Sequence, residues 1–179
     1  MSGSDGSGIA DAIARVRAHF EQHPEEAVGS DTFARARLID GLRVDVEGPK
    51  GWSVATDMAT SLGGGASAPS PGWLLRAAVA SCDAVLIAIQ AAEEGVRLTH
   101  LETEVTSESD DRGLVGGADV PAGPLWVRLD VRLATEDRLP EAELEALVAR
   151  ALRRSPVSEA LGRIVPVEVN VAAAEPVAP

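Results

Sequence analysis

Residues 70–93, SPGWLLRAAVASCDAVLIAIQAAE, set the strongest constraint on how this chain can fold. Seventeen consecutive positions from Trp73 to Ile89 hold only two charges, Arg76 and Asp83. The Ala and Leu content favours a helix, and a serine followed by proline opens it, as an N-cap hydroxyl and a first-turn proline do. Gly95 closes it. Such a stretch approaches the length of a membrane span, but its charges and its alanines favour a core helix of a water-soluble protein. The sole cysteine of the chain, Cys82, lies in the middle. Its helical neighbours three, four and seven residues away are Leu75, Ala78, Val79, Val85, Leu86 and Ile89, all apolar. Spacing alone favours Cys82 as a buried small hydrophobe, because it lies about three turns from the helix start and the dipole fades within one; a reactive thiolate there would need a cation supplied from elsewhere in the fold.

The flanking sequence supplies strands. Residues 33–46, FARARLIDGLRVDV, alternate apolar and polar on both sides of Asp40-Gly41, a hairpin pattern. A further strand is expected at 52–56, then a Gly/Ser/Pro loop, SLGGGASAPSP, that suits close backbone approach. Strands are expected at 98–107 and 125–134, an amphipathic helix at 140–153, a short helix opening at Ser155-Pro156, and a last strand at 165–171. Residues 9–22 read as an amphipathic helix, with residues 1–7 a disordered tail, 8–24 an additional N-terminal helix, 25–173 one domain and 174–179 a frayed end. Strands in hairpins mixed with packed helices give an α+β fold.

Charge narrows the partners. With 28 acidic against 16 basic residues the net charge is −12, which repels polyanions and anionic membranes, so neither nucleic acid nor membrane is expected as a partner. One cysteine excludes an internal disulfide framework, and the first residues lack the features of a secretory signal, so a reducing cytoplasm is expected. His19 and His23 are four apart, the spacing of paired metal ligands, but no third ligand is in sight; solvated histidines at a helix end are the plainer reading. No metal or cofactor is expected.

The segment GGGASAPSPGWLLRAAVASC, with SPVS at 155–158, resembles the signature of the OsmC/Ohr family: osmotically inducible protein C and the organic hydroperoxide resistance proteins. The order of elements fits from about residue 31 to 171. The resemblance implies an α+β fold with antiparallel or mixed sheets wrapped around long central helices, and an intertwined homodimer. It assigns Cys82 to the peroxidatic position and Arg43, in the first hairpin, to the cation that assists it. Two family features are replaced: a glutamate after the helix-opening proline by Gly72, and the second cysteine by Ser155. A hydroxyl cannot form a disulfide with a sulfenic acid, so an external thiol would have to complete the cycle. The resemblance thus implies either a one-cysteine organic hydroperoxide reductase or a non-catalytic module holding a small apolar ligand at the dimer interface. Trp73, Leu75, Val79, Leu86 and Ser155 are the expected lining.

Overall fold

The structure, a computed structural model, describes residues 6–117 and 119–173. Of the tails expected at 1–7 and 174–179, residues 1–5 and 174–179 lie outside the described residues. Helix α1 spans Gly6–Gln22. Strands β1 (Arg35–Asp40), β2 (Arg43–Glu47) and β3 (Ser53–Thr56) form one antiparallel sheet in that order. Helix α2 (Pro71–Glu93) follows. Strands β4 (Leu98–Ser109) and β5 (Pro124–Thr135) pair antiparallel over their length, separated by a single helical turn, α3 (Asp111–Leu114). Helices α4 (Glu141–Leu152) and α5 (Pro156–Gly162) complete the described elements. This is the expected α+β architecture, with antiparallel sheets.

Local chemistry sets most of the boundaries. Ser70 caps α2 by accepting from the Trp73 amide, and Pro71 occupies the first turn. Gly95, at φ +71°, ends it in the left-handed region that glycine adopts without penalty. The β1–β2 hairpin turns through Gly41, at φ +54°.

Helix α2 packs against α1, β4, α4 and α5. The buried residues of α2 and α4 meet as Ile87, Ala91, Leu147 and Ala151, with Leu86, Leu98, Leu101, Val131 and Val148 around them. Helix α2 buries one stripe, Val79, Asp83, Ile87 and Ala91, spaced four apart. It is therefore not enclosed all round, as its composition suggests: Val85 is 55% exposed. The polar position Asp83 is part of the buried stripe.

Two sequence expectations change here. Residues 165–171 form no strand. Neither sheet includes them, and Val167, Val169 and Val171 keep the alternation of a strand yet stay exposed. The second change concerns His19 and His23. A short 3₁₀ turn, Pro24–Ala27, folds back after α1 and brings Glu25 and Glu26 beside them, which supplies ligand-capable neighbours that the spacing alone does not.

Candidate active site around Cys82

The cysteine lies on the side of α2 that receives α5. Its Sγ is 3.5 Å from Ser155 Oγ, and Ser155 is fully buried. Ser155 is the N-cap of α5: its Oγ accepts from the Ser158 amide at 3.3 Å. One lone pair is thereby used, and the hydroxyl proton stays free for the sulfur. While the thiol is protonated either group can donate; once it ionises only Ser155 can. A hydroxyl aimed at the sulfur is also placed to donate to the oxygen that the sulfur carries as a sulfenic acid. Cys82 itself is half-buried, so a small reactant can reach it.

The next residue makes a second link to the same helix. Asp83 is 1% exposed. Both its carboxylate oxygens accept from the Ser158 hydroxyl, at 3.0 and 2.9 Å. Cys82 and Asp83, adjacent on α2, thus face Ser155 and Ser158, one turn apart on α5. No described cation bonds to Asp83, so Ser158 alone satisfies a buried carboxylate. The pair fixes α5, and through it the Ser155 hydroxyl, against the sulfur.

Arg43 is held elsewhere. Its Nη1 donates to Ser67 Oγ at 2.8 Å, and its Nη2 lies 3.8 Å from Asp45. Ser67 in turn donates from both its hydroxyl and its amide to Asp57 Oδ2, at 2.8 and 3.0 Å. The amides of Met58 and Gly65 complete the shell around that carboxylate. These hydrogen bonds, Ser67's first, hold the Asp57 carboxyl down at about 2, below the usual range. The glycine run serves this wrap: a Cβ on Gly64 would sit 2.1 Å from the Met58 carbonyl oxygen. Arg43 is thus a fixed cation at the end of a relay, and none of its hydrogen bonds within the chain reaches Cys82.

The other expected lining residues separate. Leu75 lines a cavity of about 450 Å³ at the start of α2, together with Met58, Leu62, Arg76 and Leu114. Val79 and Leu86 face the core, and Trp73 is 48% exposed on the first turn of α2. The Nη1 of Arg76 lies 3.9 Å from where a Cβ on Gly72 would be, and it donates to Ser107. A cation therefore stands beside the position where the resemblance implies a carboxylate.

Sequence reasoning does not reach Asp57 or Ser67 and gives Asp83 no role; Ser158 is visible only as the end of the SPVS motif. Asp83 carries a signal all the same: a carboxylate within an apolar helix needs a partner. For Asp57 the only signal is the glycine run that winds around it.

Comparison with known proteins agrees with this fold. A family model described as OsmC-like protein matches residues 63–170, more than half of the chain. No curated protein sequence matches. Among solved structures, an organic hydroperoxide resistance protein OsmC from Legionella pneumophila is 26% identical, with a TM-score of 0.54 over 75% of this chain and 90% of its own. An OsmC-like protein from Mycoplasma pneumoniae, 15% identical, reaches 0.64 over 75% and 89%. An osmotic stress induced and detoxification response protein from Psychrobacter arcticus, 19% identical, reaches 0.58 over 74% and 90%. The last two show the fold alone.

Proposed function

The chain belongs to the OsmC-like family, and from that premise we propose that it is a one-cysteine, thiol-dependent reductase of organic hydroperoxides, serving oxidative-stress defence in a reducing cytoplasm. The observation that carries this reading is the hydrogen-bond contact between Cys82 Sγ and the buried, capped Ser155 Oγ. The Cys82 thiolate attacks the distal oxygen of the hydroperoxide. The O–O bond breaks, the alkoxide leaves and takes a proton as the alcohol, and sulfur is oxidised to the sulfenic acid. Ser155 donates to the sulfur or to its new oxygen throughout. A first external thiol condenses with the sulfenic acid and releases water; a second cleaves the mixed disulfide, restoring Cys82 and leaving the external disulfide.

A homodimer completes this reading. Residues of β1 are exposed along its whole length, with Leu38 and Ile39 both large and apolar, and Val85, Val167 and Val169 are uncovered in the single chain. A second copy that covers these faces would also be the source of a cation for Cys82, with Arg43 the candidate. The experiment is a stoichiometric titration of the reduced protein with cumene hydroperoxide, with dimedone trapping and mass spectrometry. Selective trapping on Cys82 is expected; an unmodified Cys82 in folded protein overturns the activity.

The second reading, a ligand-binding module, has its own support. The cavity by Leu75 has apolar walls from Met58, Leu62 and Leu114, with Arg76, Asp110 and Asp111 at its charged positions. A small apolar ligand fits there without any chemistry at Cys82. Retention of a ligand by protein that fails the peroxide titration would select this reading.

A further inference from the structure

The end of α1 and the turn after it bring three metal-capable side chains together, His23, Glu25 and Glu26, with a fourth, His19, hydrogen-bonded to Glu26, far from the chemistry of α2 in sequence. Helix α1 stops before Pro24. The His23 amide still donates to the His19 carbonyl, and the Glu26 amide to the His23 carbonyl, so the chain tightens into the 3₁₀ turn rather than extending away. The two imidazoles lie one turn apart, with ring centroids 5.0 Å from each other. Glu26 Oε2 is 2.7 Å from His19 Nε2, and Glu25 Oε1 is 3.6 Å from His23 Nδ1. Single ligand atoms of His23, Glu25 and Glu26 all fall within 4.8 Å of one another.

We propose that His19, His23, Glu25 and Glu26 form a binding site for a divalent transition-metal ion of the zinc type. The donor set is two imidazole nitrogens and two carboxylates, which suits zinc, nickel, cobalt or copper and not the oxygen-only coordination of magnesium or calcium. Bond lengths of about 2.0–2.1 Å in a tetrahedral site put neighbouring ligand atoms about 3.3 Å apart. The 3.6 Å pair already meets that spacing. The 2.7 Å pair opens slightly as the metal takes the place of the proton now shared between His19 and Glu26. Two carboxylates neutralise the ion, and a chain of net charge −12 attracts it. All four groups are solvent-exposed, so the ion has an open path. Bound there, the ion joins the last turn of α1 to the turn that follows it.

The test uses the full chain, expressed without an affinity tag and stripped with EDTA. Zinc binding is followed by calorimetry, and cobalt binding by its visible absorption, which reports tetrahedral coordination. One saturable ion per chain is expected, with no heat from magnesium or calcium. Loss of an outer partner alone typically weakens metal sites about 10–100-fold, so His19→Ala or His23→Ala should weaken zinc about tenfold or more. Glu26→Gln should weaken it as well, while Cys82→Ser should leave it unchanged. Absence of saturable zinc binding, or binding that survives the His19→Ala/His23→Ala double variant, overturns the proposal. Both histidines are exposed, so the variants are expected to fold, and circular dichroism of each checks it.

Discussion

Cys82 Sγ and Ser155 Oγ face each other at 3.5 Å across the α2–α5 contact. The hydroxyl stands where the resemblance implies a second thiol, so the site keeps the approach of two reactive positions while only one can carry redox chemistry. Replacing that oxygen by sulfur is therefore informative. In Ser155→Cys, one equivalent of organic hydroperoxide should produce a disulfide between Cys82 and the introduced thiol and consume both, as counted with a thiol reagent. One free thiol and one sulfenic acid after peroxide consumption, with no cross-link on non-reducing mass analysis, would show that α5 does not bring this residue to the sulfur. Ser155→Ala, which removes the donor, should slow Cys82 sulfenylation, and should also lower stability by about 1 kcal/mol through the lost helix cap.

The clamp next to it predicts a stability effect without a change in active-site composition. Ser158 is the sole hydrogen-bond donor to the buried Asp83 carboxylate among the described residues. Ser158→Ala leaves that carboxylate unpaired and should cost about 1–3 kcal/mol in urea unfolding. The double variant Ser158→Ala/Asp83→Leu should recover part of the loss, since both polar partners are then gone. Equal or greater instability of the double variant would mean that Asp83 is satisfied by some other group.

Acid should loosen the loop that holds Arg43. The Asp57 carboxyl lies at about 2 in the folded chain, against an ordinary value of 3.8, because Ser67, Met58 and Gly65 donate to its charged form. A carboxyl depressed on folding stabilises the protein fully above its unfolded value. That contribution fades as pH falls from about 4 towards 2. Amide exchange at Gly65 and Ser67 should accelerate across that window, and in Asp57→Asn the acid-dependent component should vanish. An unchanged pH dependence in Asp57→Asn would assign it to other carboxylates.

Gly72→Glu restores a carboxylate where the resemblance implies one, and the structure has room for it: the nearest atoms to a new Cβ are 3.8 Å or more away. The glutamate would lie in the first turn of α2, four residues before Arg76. Helix dipole and ion pair together should raise stability by about 0.3–1 kcal/mol. The increase should shrink in high salt and be reduced, to the helix-dipole part alone, in Gly72→Glu/Arg76→Ala. A fall in thermal midpoint instead would mean that the space by Arg76 is filled, in solution, by another chain or a ligand.

Much of the architecture is legible in residue patterns. The hairpin around Gly41, the strands near 98–109 and 124–135, and the capped helices at Ser70 and Ser155 follow from alternation, helical spacing and capping chemistry, all of which are local. The site is legible at Cys82 and Ser155, and only through resemblance, since the spacing of α2 describes the cysteine as one more apolar position. Residue order is enough to say which segments become helices and strands, and that the apolar helix sits at the centre. It does not say which face of that helix is buried, that Asp83 meets Ser158, that Ser155 aims its hydroxyl at the sulfur, or that Arg43 ends at Ser67. Nor does it say that residues 165–171 stay unpaired. Periodicity reports a residue's direction relative to its own element. Hydrogen bonds between residues more than seventy positions apart, and the partner a strand edge requires, depend on how whole elements dock.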